Sequence, residues 1–170
     1  DPEMSRGLGD VYKRQVFNIL SSKLAGDWAA CDMLDVFAGT GAVGLEALSR
    51  GVRSVTLLDV NLQTARRNAA LFAKEKDRIS LISADASRLP SAPRQYNLVF
   101  LDAPYNKGLS VAALQSLAGQ GWLADGALVL VELEKNEPLE MESIPFFEQV
   151  DERRYGLARV VFLHFLPAKK

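Results

Sequence analysis

Two stretches of this chain combine residue types that do chemistry. The first is Asp35-Val-Phe37-Ala-Gly39-Thr40-Gly41-Ala-Val-Gly44, an apolar run that breaks into glycines. The second is Phe100-Leu-Asp102-Ala103-Pro104-Tyr105-Asn106, an apolar run that ends in an acid, a proline and a phenol. Glycines that leave a strand let the backbone approach a ligand, and the helix they open offers unpaired N–H groups. Asp59 lies twenty residues after Gly39, where a carboxylate can accept hydrogen bonds from ribose hydroxyls. The second stretch suits work on a planar base. The exocyclic amine of guanine or adenine shares its lone pair with the ring and is a poor nucleophile. Hydrogen bonds from the amine to the Asp102 carboxylate and to a backbone carbonyl localise that lone pair and align it for in-line transfer. The Tyr105 ring can stack on the base. Pro104 biases Ala103 toward an extended backbone, which aims the carbonyl. Together the two motifs point to an S-adenosylmethionine-dependent amino-methyltransferase that needs no metal.

The glycine loop with its downstream acid also matches the dinucleotide fingerprint, so an NAD oxidoreductase is a rival reading. That rival leaves the Asp102 loop idle. Asp35, inside the strand, can fix the glycine loop or meet a methionine amino group. Asp85, after a later strand, can meet the adenine amine of a cofactor lying across three strands. The expected cofactor contacts are Asp35, Phe37, Gly39, Thr40, Gly41, Gly44, Asp59, Asp85 and Ala86. The expected catalytic set is Asp102, Ala103, Pro104 and Tyr105. An adenine-N6 methyltransferase of DNA or RNA would use a similar loop. A protein glutamine methyltransferase would too, usually with Asn at the Asp102 position. A module that binds the cofactor without catalysis also fits.

The elements needed to hold these residues are legible in the apolar pattern. Strands are expected at residues 33–37, 54–58, 79–82, 96–101 and 127–132, the last after an Asp125-Gly126 turn. Helices are expected at 16–24, from the glycine loop to Ser49, at 63–76 and at 111–117. Two late strands, 146–151 and 158–165, flank Arg153-Arg154-Tyr155-Gly156 and have no helix between them. The predicted fold is therefore α/β, a doubly wound, mostly parallel, seven-stranded Rossmann-like sheet with an antiparallel last strand.

Composition narrows the setting. The chain has 170 residues, 48% of them apolar, which fits one domain with one sizeable core. A formal net charge of −1 argues against broad gripping of naked nucleic acid, which needs clustered Lys and Arg. It leaves room for one local patch. Arg153 and Arg154 read equally as a phosphate contact or a solvated hairpin tip. Cys31 and His164 are each the sole residue of their type, so no disulfide framework or Cys/His zinc site is expected. Trp122 and His164 read as structural. No secretory signal or membrane-spanning run is evident, and a cytoplasmic monomer is expected.

Residues 1–15 show no helix or strand period, and Ser5–Gln15 resembles a translated sequencing-library adapter. They are expected to be a non-native or disordered tail ahead of one methyltransferase domain at residues 16–170. That domain resembles the bacterial 16S ribosomal RNA guanine-N2 methyltransferase D family. The likeness runs through Val16-Phe-Asn-Ile-Leu20, Asp35 to Gly51, Phe100 to Leu109, Gly121-Trp-Leu123 and Asp151 to Gly156. It implies a class I methyltransferase sheet and methyl transfer to N2 of one guanine in 16S rRNA. It also implies action on a small-subunit particle already carrying proteins, which suits the near-neutral charge. Two departures stand out. The family usually has proline where Ala103 stands, and it has an N-terminal hairpin and a Thr-Asp-Arg segment where residues 1–15 stand. The second departure implies a folded chain with weak activity or none.

Overall fold

The computed structural model describes residues 9–167, with side chains from residue 11 onward. Seven strands form one sheet. They are β1 (Asp32–Val36), β2 (Ser54–Asp59), β3 (Ile79–Ser83), β4 (Tyr96–Leu101), β5 (Leu123–Glu134), β6 (Phe147–Tyr155) and β7 (Ala158–Phe165). The helices are α1 (Gly9–Lys23), α2 (Ala42–Ser49), α3 (Gln63–Ala69) and α4 (Leu109–Gly119). The sheet order is β3-β2-β1-β4-β5-β7-β6. Strands β1 to β5 pair parallel, while β7 pairs antiparallel with β5 and with β6. The predicted fold class is the observed one.

Period-2 side-chain alternation divides each strand between two cores. Met33, Val55, Leu57, Leu98, Phe100 and Leu130 face one layer, where Val16, Phe17 and Leu20 of α1 and Leu45 and Leu48 of α2 cover them. Leu34, Val36, Leu58, Val99, Leu101 and Val131 face the other, covered by Ala113, Leu114 and Leu117 of α4. Trp122 belongs to this second core, with its indole N–H donating to the Pro90 carbonyl at 2.8 Å. That agrees with its structural reading.

Four boundaries differ from the sequence reading. Helix α1 begins at Gly9, so residues 9–15 are helical although they show no helix period. Buried Val16, Phe17 and Leu20 anchor the helix, and Tyr12 one turn earlier finds partners of its own. Residues 1–8, the rest of the expected tail, lie outside the described residues. The helix expected at 63–76 breaks after Ala69 into a tighter turn, with Phe72 off the helical region at φ −106°, ψ 47°. Asp125-Gly126 lies inside β5 rather than before it. The chain bulges there, since β4 pairs Tyr96 with Leu123 but Leu98 with Leu128, and Gly126 takes the left-handed φ of +76° that the bulge needs. Arg153 and Arg154 lie within β6, not at the hairpin tip. They pair with Asp151 at 3.0 Å and Glu152 at 3.6 Å.

Candidate active site

Strand register builds the site. Parallel pairing sets Ile82, Leu58, Val36, Leu101 and Val131 in one row across β3, β2, β1, β4 and β5. One residue further along, at the carboxyl edge, stand Ser83, Asp59, Phe37, Asp102 and Glu132. Open α/β sheets bind ligands at this edge. Three of the five are acids, and all three line a cavity of about 570 Å³. That volume lies within the range of about 300–1,000 Å³ seen for small-molecule and cofactor sites. Asp35, Phe37, Gly39, Thr40, Asp59, Asp102, Ala103, Pro104 and Tyr105 all line it, so the structure brings both motifs to one space.

The glycine loop is tied down at several points. Gly39 N–H donates to Asp59 Oδ2 at 2.8 Å, and Asp59 Oδ1 accepts from Val60 N–H at 2.7 Å. Ala38 N–H reaches the Leu58 carbonyl at 3.0 Å, and Asn68 Nδ2 donates to the Thr40 carbonyl at 2.9 Å. Phe37, Gly39 and Gly41 all take left-handed φ, at 60°, 56° and 81°. The glycines do so freely, whereas at Phe37 the surrounding hydrogen bonds and packing must hold the strain. Asp35, buried in β1, accepts the Gly44 N–H on Oδ2 at 2.9 Å. A carboxylate there also meets the positive end of α2. Asp35 thus fixes the loop, and it also lines the cavity.

Gly41 and Gly44 do not line the cavity; they sit behind it. A Cβ at Gly44 would stand 2.5 Å from Leu57 Cδ2, and one at Gly41 would stand 2.9 Å from Leu57 Cδ1. These glycines let α2 lie close on β2. Asp85 and Ala86 also lie outside the lining, beyond β3. Asp85 is exposed, and its Oδ1 accepts from Ser87 Oγ at 2.7 Å and Ser87 N–H at 2.9 Å. Those bonds hold its carboxyl below the usual range. Ala86 is buried in the core.

The second motif follows β4 directly, and Asp102 N–H donates to the Val36 carbonyl at 3.3 Å. Ala103 is buried and Pro104 exposed. The Tyr105 hydroxyl donates to Glu132 Oε2 at 2.9 Å. On the other side of the same carboxylate, Tyr12 of α1 donates to Oε1, and the Tyr12 ring lies 4.9 Å from that of Tyr155. Burial, then the charge and hydrogen bond of Glu132, push both phenols well above the usual tyrosine value. Both therefore stay protonated donors at neutral pH. Sequence reasoning missed Glu132 and Tyr12. The available signal for Glu132 was an acid at the carboxyl end of an apolar strand, the same signal that singled out Asp59 and Asp102. Tyr12 fell in the segment set aside.

Among the described residues, no cluster of three or more His, Cys, Asp or Glu side chains is placed to hold a metal ion. No described helix is long and apolar enough to cross a membrane.

A profile of the family described as Conserved hypothetical protein 95 matches residues 2–164. The chain belongs to this family. The ribosomal RNA small subunit methyltransferase D of Haemophilus influenzae is 33% identical over 144 residues, covering 79% of this chain and 70% of that protein. Its namesake in Escherichia coli is 36% identical over 129 residues, covering 74% of this chain and 62% of that protein. A crystal structure of a Haemophilus influenzae protein named as a methylase superposes with a TM-score of 0.78 at 27% identity, covering 91% and 98% of the two chains. The Conserved hypothetical protein 95 member is thus a class I S-adenosylmethionine-dependent methyltransferase related to these proteins. Its sheet agrees, because antiparallel β7 lies between β5 and β6, unlike the parallel 3-2-1-4-5-6 order of dinucleotide folds. The NAD reading falls with that order.

Proposed function

We propose that this chain transfers the methyl group of S-adenosylmethionine to the exocyclic N2 amine of a guanine in small-subunit ribosomal RNA. The observation that carries the reading is the shared cavity, with the Gly39–Asp59 cradle on one side and the Asp102–Tyr105 loop on the other. The names of the Haemophilus influenzae and Escherichia coli relatives support the choice of ribosomal RNA.

The residues present fit the cofactor. Gly39 leaves room for backbone approach. Asp59 spends one lone pair of Oδ2 on the glycine loop and one of Oδ1 on its neighbour Val60, so further acceptor directions remain for ribose hydroxyls. Asp85 and Ala86, at the turn after β3, would meet the adenine at the outer end. When bound, S-adenosylmethionine supplies an electrophilic methyl group on a sulfonium.

The chain's own residues do the rest. The Asp102 carboxylate accepts a hydrogen bond from the N2 amine of the target guanine, and a backbone carbonyl of the Ala103-Pro104 turn accepts the second N2–H. With both N–H bonds held, the nitrogen lone pair is turned out of conjugation and toward the transferred carbon. As the N–C bond forms, positive charge grows on nitrogen beside Asp102, where a fixed carboxylate stabilises it and holds the departing proton. The Tyr105 ring supplies a stacking face that keeps the flipped base in plane. Phe17, Leu20, Leu98 and Leu130 supply apolar walls to the cavity.

The test is incubation of the chain with unmethylated small ribosomal subunits and methyl-labelled cofactor, followed by mapping of the label. Label on guanine N2 in the small-subunit RNA is the expected result. Label on adenine, on protein, or nowhere would refute the reading.

A further inference from the structure

We propose that Glu132 is a positioning residue for the reaction loop, holding the Tyr105 hydroxyl and so setting where the phenol ring stands over the acceptor side of the cavity. The inference rests on the proposed base methylation, in which Tyr105 supplies the stacking face.

The two ends of this contact differ in rigidity. Glu132 lies in β5, which is hydrogen-bonded to β4 on one side and β7 on the other, with buried Val131 and Leu133 as neighbours. Tyr105 lies in a turn whose next residues include Asn106 and Gly108 at φ 60° and 67°. Among the described residues, the 2.9 Å bond from Tyr105 to Glu132 is the hydrogen bond that joins residues 103–107 to the sheet. A charged acceptor makes it stronger than a neutral one would. The ring is fixed at both its Cα and its hydroxyl. Much of the ordering cost of base stacking is then met before the base arrives. Because Leu101 pairs with Val131, Glu132 of β5 stands beside Asp102, the residue that follows β4. A change at Glu132 therefore reaches the loop that carries the amine acceptor.

The test uses Glu132→Leu, Glu132→Gln, Tyr105→Phe and the double variant Tyr105→Phe/Glu132→Leu in the full chain. Tyr105→Phe isolates the bond, since it keeps the ring and leaves the Tyr12 contact of Glu132 intact. The first readout is amide hydrogen exchange over residues 103–108. The second is single-turnover methyl transfer to unmethylated small subunits at saturating cofactor. Glu132→Leu and Tyr105→Phe should each speed loop exchange and slow transfer by about tenfold, the scale of a hydrogen bond to a charged group. The double variant should be no worse than Glu132→Leu alone, because once Glu132 is gone Tyr105→Phe has no bond left to remove. Glu132→Gln keeps an acceptor oxygen and should recover most of the protection and rate, a rescue that general destabilisation would not give. Unchanged loop exchange in Tyr105→Phe, or losses that add in the double variant, would overturn the proposal. If the unaltered chain methylates no particle, the ribosomal reading falls, and the exchange data alone still decide whether Glu132 holds the loop.

Discussion

Replacing Gly44 by alanine tests whether the cofactor loop is held in place by the packing behind it. Gly44 lies in the first turn of α2, and its N–H donates to Asp35. A methyl group there would stand 2.5 Å from Leu57 Cδ2, 2.9 Å from Val55 Cγ2 and 3.2 Å from Asp35 Oδ2. Carbon atoms settle at about 3.5–4.0 Å, so α2 and β2 must separate by roughly 1 Å. Leu57 and Val55 are fully buried in β2, packed within the core that α2 covers. Overpacking of this kind costs about 1–3 kcal/mol. Alanine recovers up to about 1 kcal/mol over glycine within a helix, and less in a first turn. The balance is a loss of about 1–2 kcal/mol, or a melting temperature lowered by about 2–8 °C for a domain of this size. The same displacement draws the Gly44 N–H away from Asp35, so affinity for S-adenosylmethionine should fall with stability. Gly119→Ala is the control, because Gly119 ends α4, has ordinary φ, and would place its methyl with nothing within 4 Å. It should be neutral or stabilising by up to about 1 kcal/mol. Scanning calorimetry and cofactor titration measure both effects. A Gly44→Ala protein as stable and as tightly binding as its parent would refute the packing argument, and so would equal losses in the two variants.

Three further outcomes are expected. Asp59→Ala leaves the Gly39 and Val60 N–H groups without their acceptor, and should weaken S-adenosylmethionine binding by about 1–3 kcal/mol in titration calorimetry; equal affinity would remove Asp59 from the cradle. Asp102→Ala should slow single-turnover transfer about a hundredfold or more while changing cofactor affinity little, the scale of losing one group aligned with developing charge; near-parental rates would exclude Asp102 from the chemistry. Asp32 concerns pH. The hydrogen bond from Arg53 holds its carboxyl below the usual range, with Ser54 and Arg94 adding to the effect. A folded-state value below the unfolded one means stability that is present above the unfolded value of about 3.9 and lost as pH falls through the folded value. Asp32→Asn should therefore melt below its parent at neutral pH, with the gap closing as pH drops below about 4. A gap that stays constant across that window, followed by circular dichroism, would contradict the assignment.

The parallel strands and their order were readable because each carries an apolar run with a punctuating residue after it. Leu58 ends at Asp59, Leu101 at Asp102, and the glycines follow Val36. Element ends were less readable, for local reasons. Gly126 reads as a turn, yet in β5 the left-handed residue makes a bulge and the ladder resumes beyond it. Across the hairpin Arg153 pairs with Val160 and Arg154 with Arg159, so β6 carries both arginines as strand residues although their side chains look like those of a loop. Helix α1 extends to Gly9 because tertiary contacts of Tyr12 and Val16 outweigh a polar local sequence.

The glycine motif carries the most instructive mixture. All its glycines were read as ligand contacts, yet they divide by function. Gly39 faces the cavity, whereas Gly41 and Gly44 face Leu57 and let helix and strand close together. Spacing alone records that a side chain is forbidden, not which neighbour forbids it. The acids follow the opposite rule. In a parallel sheet, residues one step past a paired row emerge at one level, so Asp59 at the end of β2, Asp102 just after β4 and Glu132 near the end of β5 become a line of carboxylates. Strands lie about 4.8 Å apart. Asp59 and Asp102, separated by β1, are then about 10 Å apart, and Asp102 and Glu132, on adjacent strands, about 5 Å. The wide gap is spanned by the Phe37–Gly39 turn, and in the proposed reaction it leaves room for the reacting group between Asp59 and Asp102. The narrow gap puts Glu132 beside Asp102, within reach of Tyr105 and away from Asp59. Under the proposed function, that spacing lets the two acids divide the work, Asp102 meeting the base and Glu132 holding the ring that steadies it.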